Sequence, residues 1–222
     1  KLCSSSPNDF GGRLKAATKI VPKLLYRIQG MDIELAILFI PNQDLKIFPN
    51  NNKNVSQEVI QRRGNFPKQQ NFNVDWETYK RGFGDIMKDF WLGNENIHIL
   101  SNQGPCKIRF DLEDSKRNRR FAVYEHFRID DEYNDYTLHI SNYSGNAGDG
   151  MKYHAGQRFA TRDKDHLRGA TVLEGAWWIF EWAYCHLNGL YLPGSDDPKS
   201  IHWYEWLMNE GLAGTEIKIK LS

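Results

Sequence analysis

The sequence predicts an α+β fold, and three observations carry that prediction. Apolar and polar residues alternate over Lys107–Leu112, Arg120–Phe127 and Glu216–Leu221, the period of strands with one buried face. Trp76, Tyr79, Lys80 and Phe83 recur at the i, i+3, i+4, i+7 spacing of a short helix with an aromatic face. From Asn142 onward the periodicity fades. Gly145, Gly148, Gly150, Gly156 and Gly169 mark a loop-rich stretch there.

Taken in order, the first 58 residues are the least regular. Leu24–Ile28 and Ile33–Ile40 are strand-like, and the second is continuous enough to be buried on both faces. Phe48–Lys53, with Pro49 and its asparagines, reads as an exposed loop. Gln57–Arg63 reads as a strand and Asn65–Asn73 as a turn-rich connection. Asp75 is a candidate N-cap, and Glu77 puts an acid in the first turn, where the helix dipole favours it. Gly82 and Gly84 end that helix. Phe90-Trp91-Leu92 is a core anchor, each such aromatic burying well over about 150 Å². A second helix is expected over Asn94–Ser101, with Ile97 and Leu100 inward. Lys107–Leu112 and Arg120–Phe127 form a hairpin joined by Asp114–Arg119, and Tyr136–Ile140 is a third strand. The last alternating run, Glu216–Leu221, returns to the central sheet.

Composition excludes several classes. The 222 residues are ample for a real core. With 29 basic and 28 acidic residues the net charge is +1, which argues against nucleic acid or an anionic membrane surface as a bulk electrostatic partner. No apolar run approaches the roughly 18 residues that span a bilayer, so no membrane insertion is expected. The opening KLCSSSPNDF is not a signal peptide, so any such segment is expected to have been removed or left out. Seven Trp and ten Tyr suit either a binding surface or simply core. Cys3, Cys106 and Cys185 are an odd count, and their spacing is too wide for a zinc site.

Catalytic signatures are missing: there is no G-x-S-x-G, no H-E-x-x-H and no P-loop. His98, His139 and His202 sit on apolar stretches, where a satisfied core or surface histidine is the usual outcome. No enzyme and no cofactor are expected. Lys116-Arg117-Asn118-Arg119-Arg120 could grip sulfate or phosphate groups, but the same residues on a solvated turn need no function. Asn54-Val55-Ser56 and Asn142-Tyr143-Ser144 are glycosylation sequons, both expected on loops.

The stretch WETYKRGFGDI…FWLGNENIHIL over Trp76–Leu100 resembles the opening motif of the fibrinogen-related domain, the C-terminal globe of fibrinogen chains, ficolins, tachylectins, tenascins and angiopoietins. The resemblance continues in order through IQRR (Ile60–Arg63), IRFDLED (Ile108–Asp114), NYSGNAGD (Asn142–Asp149), FATRDKD (Phe159–Asp165), GAWW (Gly175–Trp178), LNGLYL (Leu187–Leu192), IHWYEW (Ile201–Trp206) and TEIKI (Thr215–Ile219). It implies a central, mainly antiparallel twisted sheet with two short flanking helices. It also implies one domain over 1–222: a divergent N-terminal hairpin subdomain (1–58), the sheet (59–141 plus 215–222) and a loop-rich ligand subdomain (142–214). The two strands of the hairpin would be Leu24–Ile28 and Ile33–Ile40. Cys3 would match the first cysteine of its disulfide, with Ile37 at the partner position, and is the candidate for a bond between chains.

The resemblance also locates sites. The family places calcium at a D-x-D-x-D run; here Asp163 and Asp165 fill two places and Leu167 the third, in a loop about four residues short. No metal is expected, and Leu167, Val172 and Leu173 are expected to form a small apolar cluster instead. The family's ligand pocket lies beside a disulfide whose positions match Gly169 and Trp182, with Ala183 where a histidine belongs. Trp203, Tyr204 and Trp206 match the pocket's aromatic wall or are core, and His202 beside them is a candidate ligand-binding residue with Trp182, Ala183, Trp203 and Tyr204. The implied function is non-enzymatic recognition by a secreted, extracellular module, oligomeric through residues before Lys1. A protein receptor or cell-surface partner is favoured, because the calcium site and acetyl pocket look degraded. The alternative is an innate-immune lectin for acetylated sugars, for which carbohydrate would be the ligand.

Overall fold

A computed structural model describes residues 57–180 and 183–221, together with two paired strands at 34–38 and 46–50. These strands, β1 (Glu34–Leu38) and β2 (Lys46–Asn50), pair antiparallel within a first compact unit. β1 falls inside the run expected to be a strand. Its partner is not Leu24–Ile28, which lies outside the described residues, but a segment whose end, Phe48–Asn50, was expected to be loop. Pro49 lies in β2, and a two-stranded ribbon leaves each strand an unpaired side on which a missing N–H costs no ladder bond.

The second unit is built on β3 (Glu58–Arg63), α1 (Trp76–Arg81), β4 (Phe83–Gly84), β5 (Phe90–Trp91), α2 (Asn94–Ser101), β6 (Cys106–Glu113), β7 (Arg119–Ile129) and β8 (Leu138–Gly145). There follow α3 (Gly169–Leu173), β9 (Cys185–His186), β10 (His202–Trp203), α4 (Tyr204–Leu207) and β11 (Gly214–Leu221). Seven strands form one antiparallel sheet in the order β4-β5-β3-β11-β6-β7-β8. The fold is α+β. β6 alternates without a break, burying Cys106, Ile108, Phe110 and Leu112. β11 alternates in the same way and buries Thr215, Ile217 and Ile219 in the middle of the sheet. β8 runs to Gly145, past the point where periodicity fades, because as the outer strand it buries few side chains.

α1 forms as its sequence dictates. Asp75 Oδ1 accepts from Thr78 N–H at 2.9 Å, and the Thr78 hydroxyl, followed by this N–H, holds its carboxyl below the usual range. Gly82 ends the helix at φ 90°, where a Cβ would sit 2.4 Å from the Leu92 carbonyl oxygen. Phe83 therefore leaves the helix and enters β4. It still packs edge-on against Tyr79 at 5.0 Å, so the aromatic face survives the break. In α2 Ile97 is buried as expected, but Leu100 is only half-buried. Asn94 and Ser101 take the inward places. Asn94 Oδ1 accepts from Trp91 Nε1 at 2.9 Å, which explains a polar residue there.

The core centres on Trp91, ringed by Tyr79, Phe159, Trp177 and Trp178 at 5.9–6.3 Å between centroids. On the same face of the sheet, beside Trp91, its cross-strand partner, Gln61 donates from Nε2 to the Leu187 carbonyl at 2.8 Å, and Arg63 Nη1 donates to that of Gly189 at 2.8 Å. Asn188 Nδ2 donates to the Ala176 carbonyl at 3.0 Å. A Cβ on Gly175 would lie 2.4 Å from the Asn188 carbonyl oxygen. IQRR, GAWW and LNGLYL thus meet in one buried knot that ties the C-terminal third to the sheet. Burial lowers the Arg63 pKa to about 10, against the opposing pull of Asp89.

Candidate functional site

The C-terminal third is held by backbone bonds and a few buried polar groups, because it has little regular structure to satisfy its N–H and C=O groups. β9 and β10 are two residues each and pair Cys185 with Trp203 and His186 with His202. His154 Nδ1 donates to the Trp178 carbonyl at 2.6 Å, while Nε2 accepts from Cys185 N–H at 3.1 Å. That arrangement needs a neutral ring with its proton on Nδ1. Burial in the same place lowers the His154 pKa to about 4. Burial also holds His186 well below the imidazole range, and the neighbouring His202 adds to the effect. Cys185 and Cys106 are buried, free thiols whose pKa values burial raises.

The residues assigned to the pocket do not share one environment. Trp182 lies outside the described residues. Ala183 is half-buried and offers only a methyl group; its carbonyl accepts from His202 Nε2 at 2.7 Å. His202 is buried, with Nδ1 2.9 Å from the Ser200 carbonyl, so both ring nitrogens are committed to backbone. Trp203 is core: its Nε1 donates to the Gly148 carbonyl at 3.1 Å and its ring packs on Phe110 at 5.3 Å. Among the described ones Tyr204 is the most exposed, at 40%. Cys185 and His186 are fully enclosed and line no open pocket.

Tyr204 belongs instead to a ledge that no periodicity announced. Its ring meets Tyr184 at 5.4 Å, Tyr184 meets Tyr153 at 4.5 Å, and Tyr153 stacks on Phe180 at 6.2 Å. Tyr153 is also 40% exposed, and Lys152 Nζ lies 5.4 Å above its ring. Three of the rings come from separate loop positions and the fourth, Tyr204, from the first residue of α4. The only signal for them is aromatic density in a loop-rich region.

Asp163 and one oxygen of Asp165 are occupied by the protein, while Asp165 Oδ1 is buried with no hydrogen-bond partner. Asp163 Oδ1 accepts from Trp76 N–H at 2.9 Å and from Thr161 Oγ1 at 2.7 Å, so it serves the first turn of α1. Asp165 Oδ2 accepts from Thr171 N–H and Thr171 Oγ1, both at 2.8 Å, inside α3. Among the described residues no group of three or more His, Cys, Asp or Glu side chains is placed to hold a metal. The two carboxylates alone supply fewer than the 6–8 oxygens that calcium takes. The apolar cluster expected in its place does not form either: Leu167 is 56% and Val172 63% exposed. Hydrogen bonds to the two carboxylates order the loop. Asn54 lies outside the described residues. Asn142 is exposed, in β8 rather than a loop, at φ 61°, a left-handed conformation that asparagine tolerates.

Comparisons place this architecture. The family model for the C-terminal globular domain of fibrinogen beta and gamma chains matches residues 37–221. Techylectin-5A of Tachypleus tridentatus is 44% identical over 170 residues, 73% of this chain and 58% of that protein. Angiopoietin-related protein 7 of Mus musculus is 37% identical over 205 residues, 88% of this chain and 60% of that one. The chain therefore spans under two thirds of the length of these relatives. The fibrinogen-like globe domain of human ANGPTL2 superposes with a TM-score of 0.73 at 33% identity, covering 85% of this chain and 92% of that one. The chain belongs to the fibrinogen C-terminal globular domain family.

Proposed function

We propose that this chain is a non-enzymatic, secreted recognition module that binds a protein partner on the surface holding the Tyr153–Phe180–Tyr184–Tyr204 ledge. The observation that carries the reading is the ledge itself: four rings in mutual contact, two of them well exposed. Tyrosine and phenylalanine are enriched where proteins meet, since they offer large rigid contact area and a hydroxyl at low entropic cost. Buried His202 and Trp203 and the methyl of Ala183 leave little side-chain polarity with which to hold an acetyl group.

The second reading is a lectin for acetylated sugars, favoured by the similarity to techylectin-5A. Two measurements separate them. Passed over N-acetylglucosamine beads, the protein is expected to flow through equally in calcium and in chelator. Labelled protein is expected to bind cells after enzymatic removal of surface glycans, to lose that binding after protease treatment, and to bind at least tenfold more weakly as Tyr153→Ala/Tyr204→Ala. Calcium-dependent retention on the beads, or cell binding that vanishes with the glycans, puts the lectin reading first.

A further inference from the structure

The sheet carries a second recessed surface, far simpler in chemistry than the ledge. A solvent-open cleft of about 1340 Å³ runs over β3, β11 and β6, with the turn between β6 and β7 at one end and Tyr191 and Pro193 along a side. Its lining is mostly polar or charged. What matters is which charges are already neutralised. Asp111 bonds Arg109 at 2.7 Å and Lys218 at 2.8 Å. Glu216 bonds Arg62 at 2.6 Å and Lys218 at 2.8 Å. Glu113 bonds Arg119 at 2.7 Å. Asp114 accepts from the backbone N–H groups of Lys116 and Asn118 and from Asn118 Nδ2, at 2.7–2.9 Å. Every carboxylate of the cleft is therefore satisfied from within.

The cations are not all spent in the same way. Among the described residues Lys116, Arg117 and Arg120 have no carboxylate within ion-pair distance. Arg120 rests 5.2 Å above the Trp206 ring and donates from Nη1 to the Asn146 carbonyl at 3.3 Å, which holds the guanidinium in place with other N–H groups free. Arg117 sits at φ 69° at the tip of a turn that Asp114 fastens. A held turn presents its charges at little further entropic cost. The turn brings four cations, Lys116, Arg117, Arg119 and Arg120, against Glu113, Asp114 and Glu210, the last accepting from Ser115 Oγ at 3.1 Å, although the whole chain carries only +1.

We propose that this cleft binds a sulfated polysaccharide. Guanidinium forks match the oxygens of a sulfate ester, and a sulfate stays ionised across the physiological range. A glycan chain carries such groups at intervals and presents hydroxyls to the satisfied acid–base pairs along the floor. An acidic peptide would also bring apolar side chains, and the cleft offers them few apolar walls.

The test uses the full chain on immobilised heparin. Retention above about 0.15 M salt is expected, where simple exposed charges are already screened over about 8 Å. Arg117→Glu/Arg120→Glu should weaken binding at least tenfold without lowering the melting temperature. Lys68→Glu/Lys88→Glu, an equal charge change at other exposed lysines, should leave it within twofold. Desulfated heparin should fail to compete. Three outcomes overturn the proposal: flow-through at low salt, equal losses in both double variants, or competition by polyglutamate as strong as by heparin itself, which would assign the cleft to an acidic peptide.

Discussion

Trp91 is the residue on which the core depends most. Four aromatic rings contact it and its indole N–H is bonded to Asn94, so Trp91→Ala removes packing and strands a buried acceptor together. The expected loss is about 3–5 kcal/mol out of a typical total of about 5–15 kcal/mol. Urea unfolding followed by tryptophan emission checks it, and a midpoint near that of the parent would contradict the central role. His154 gives a second prediction. Its folded pKa of about 4 lies below the unfolded value of about 6.5, so the unfolded chain takes up the proton first. The stability held by the neutral ring is complete above pH 6.5 and is lost as the pH falls toward 4. About 2 kcal/mol should be gone by pH 5, with His186 acting in the same direction. Unfolding midpoints at pH 7.5 and 5 should differ, and His154→Gln should narrow the gap.

At the scale of elements, the caps explain the loop at 161–175. Its two aspartates are bonded to α1 and within α3, which is what a metal would otherwise have to displace. Melting in millimolar calcium and in chelator is therefore expected to give superimposable curves, whereas an intact site at one hundred times Kd would add about 2.7 kcal/mol. Because Leu167 is exposed, Leu167→Asp should change stability by no more than about 0.5 kcal/mol. A clear upward shift in calcium would show that the loop recruits further oxygens. Elements with strong local signals were legible in advance. Asp75, Gly82 and the alternation of β6 and β11 each follow from one side chain or one period. Phe83 was placed by extending a helical period past a glycine, and Leu100 by taking i+3 from Ile97 where α2 buries i+4, Ser101, its phase set by the asparagine–indole bond. The ledge was not legible, since Tyr153, Phe180, Tyr184 and Tyr204 meet only through long-range chain reversal.

At the scale of the whole molecule, the motifs that looked independent along the chain prove to be mutual supports. Gln61 and Arg63 hold the carbonyls of Leu187 and Gly189, and Asn188 holds Ala176. A reader of the sequence sees three short signatures far apart; only folding shows that each satisfies the backbone of another. The position of β11 has a consequence in time. It lies between β3 and β6, yet it is the last of these strands to be synthesised. Until residues 214–221 leave the ribosome, β3 with its neighbours and β6 with its neighbours are two half-sheets, each with an open edge and an uncovered apolar face. Neither half can be completed by local contacts, so both stay open until β11 has been made, with the exposure to aggregation that an unpaired edge brings.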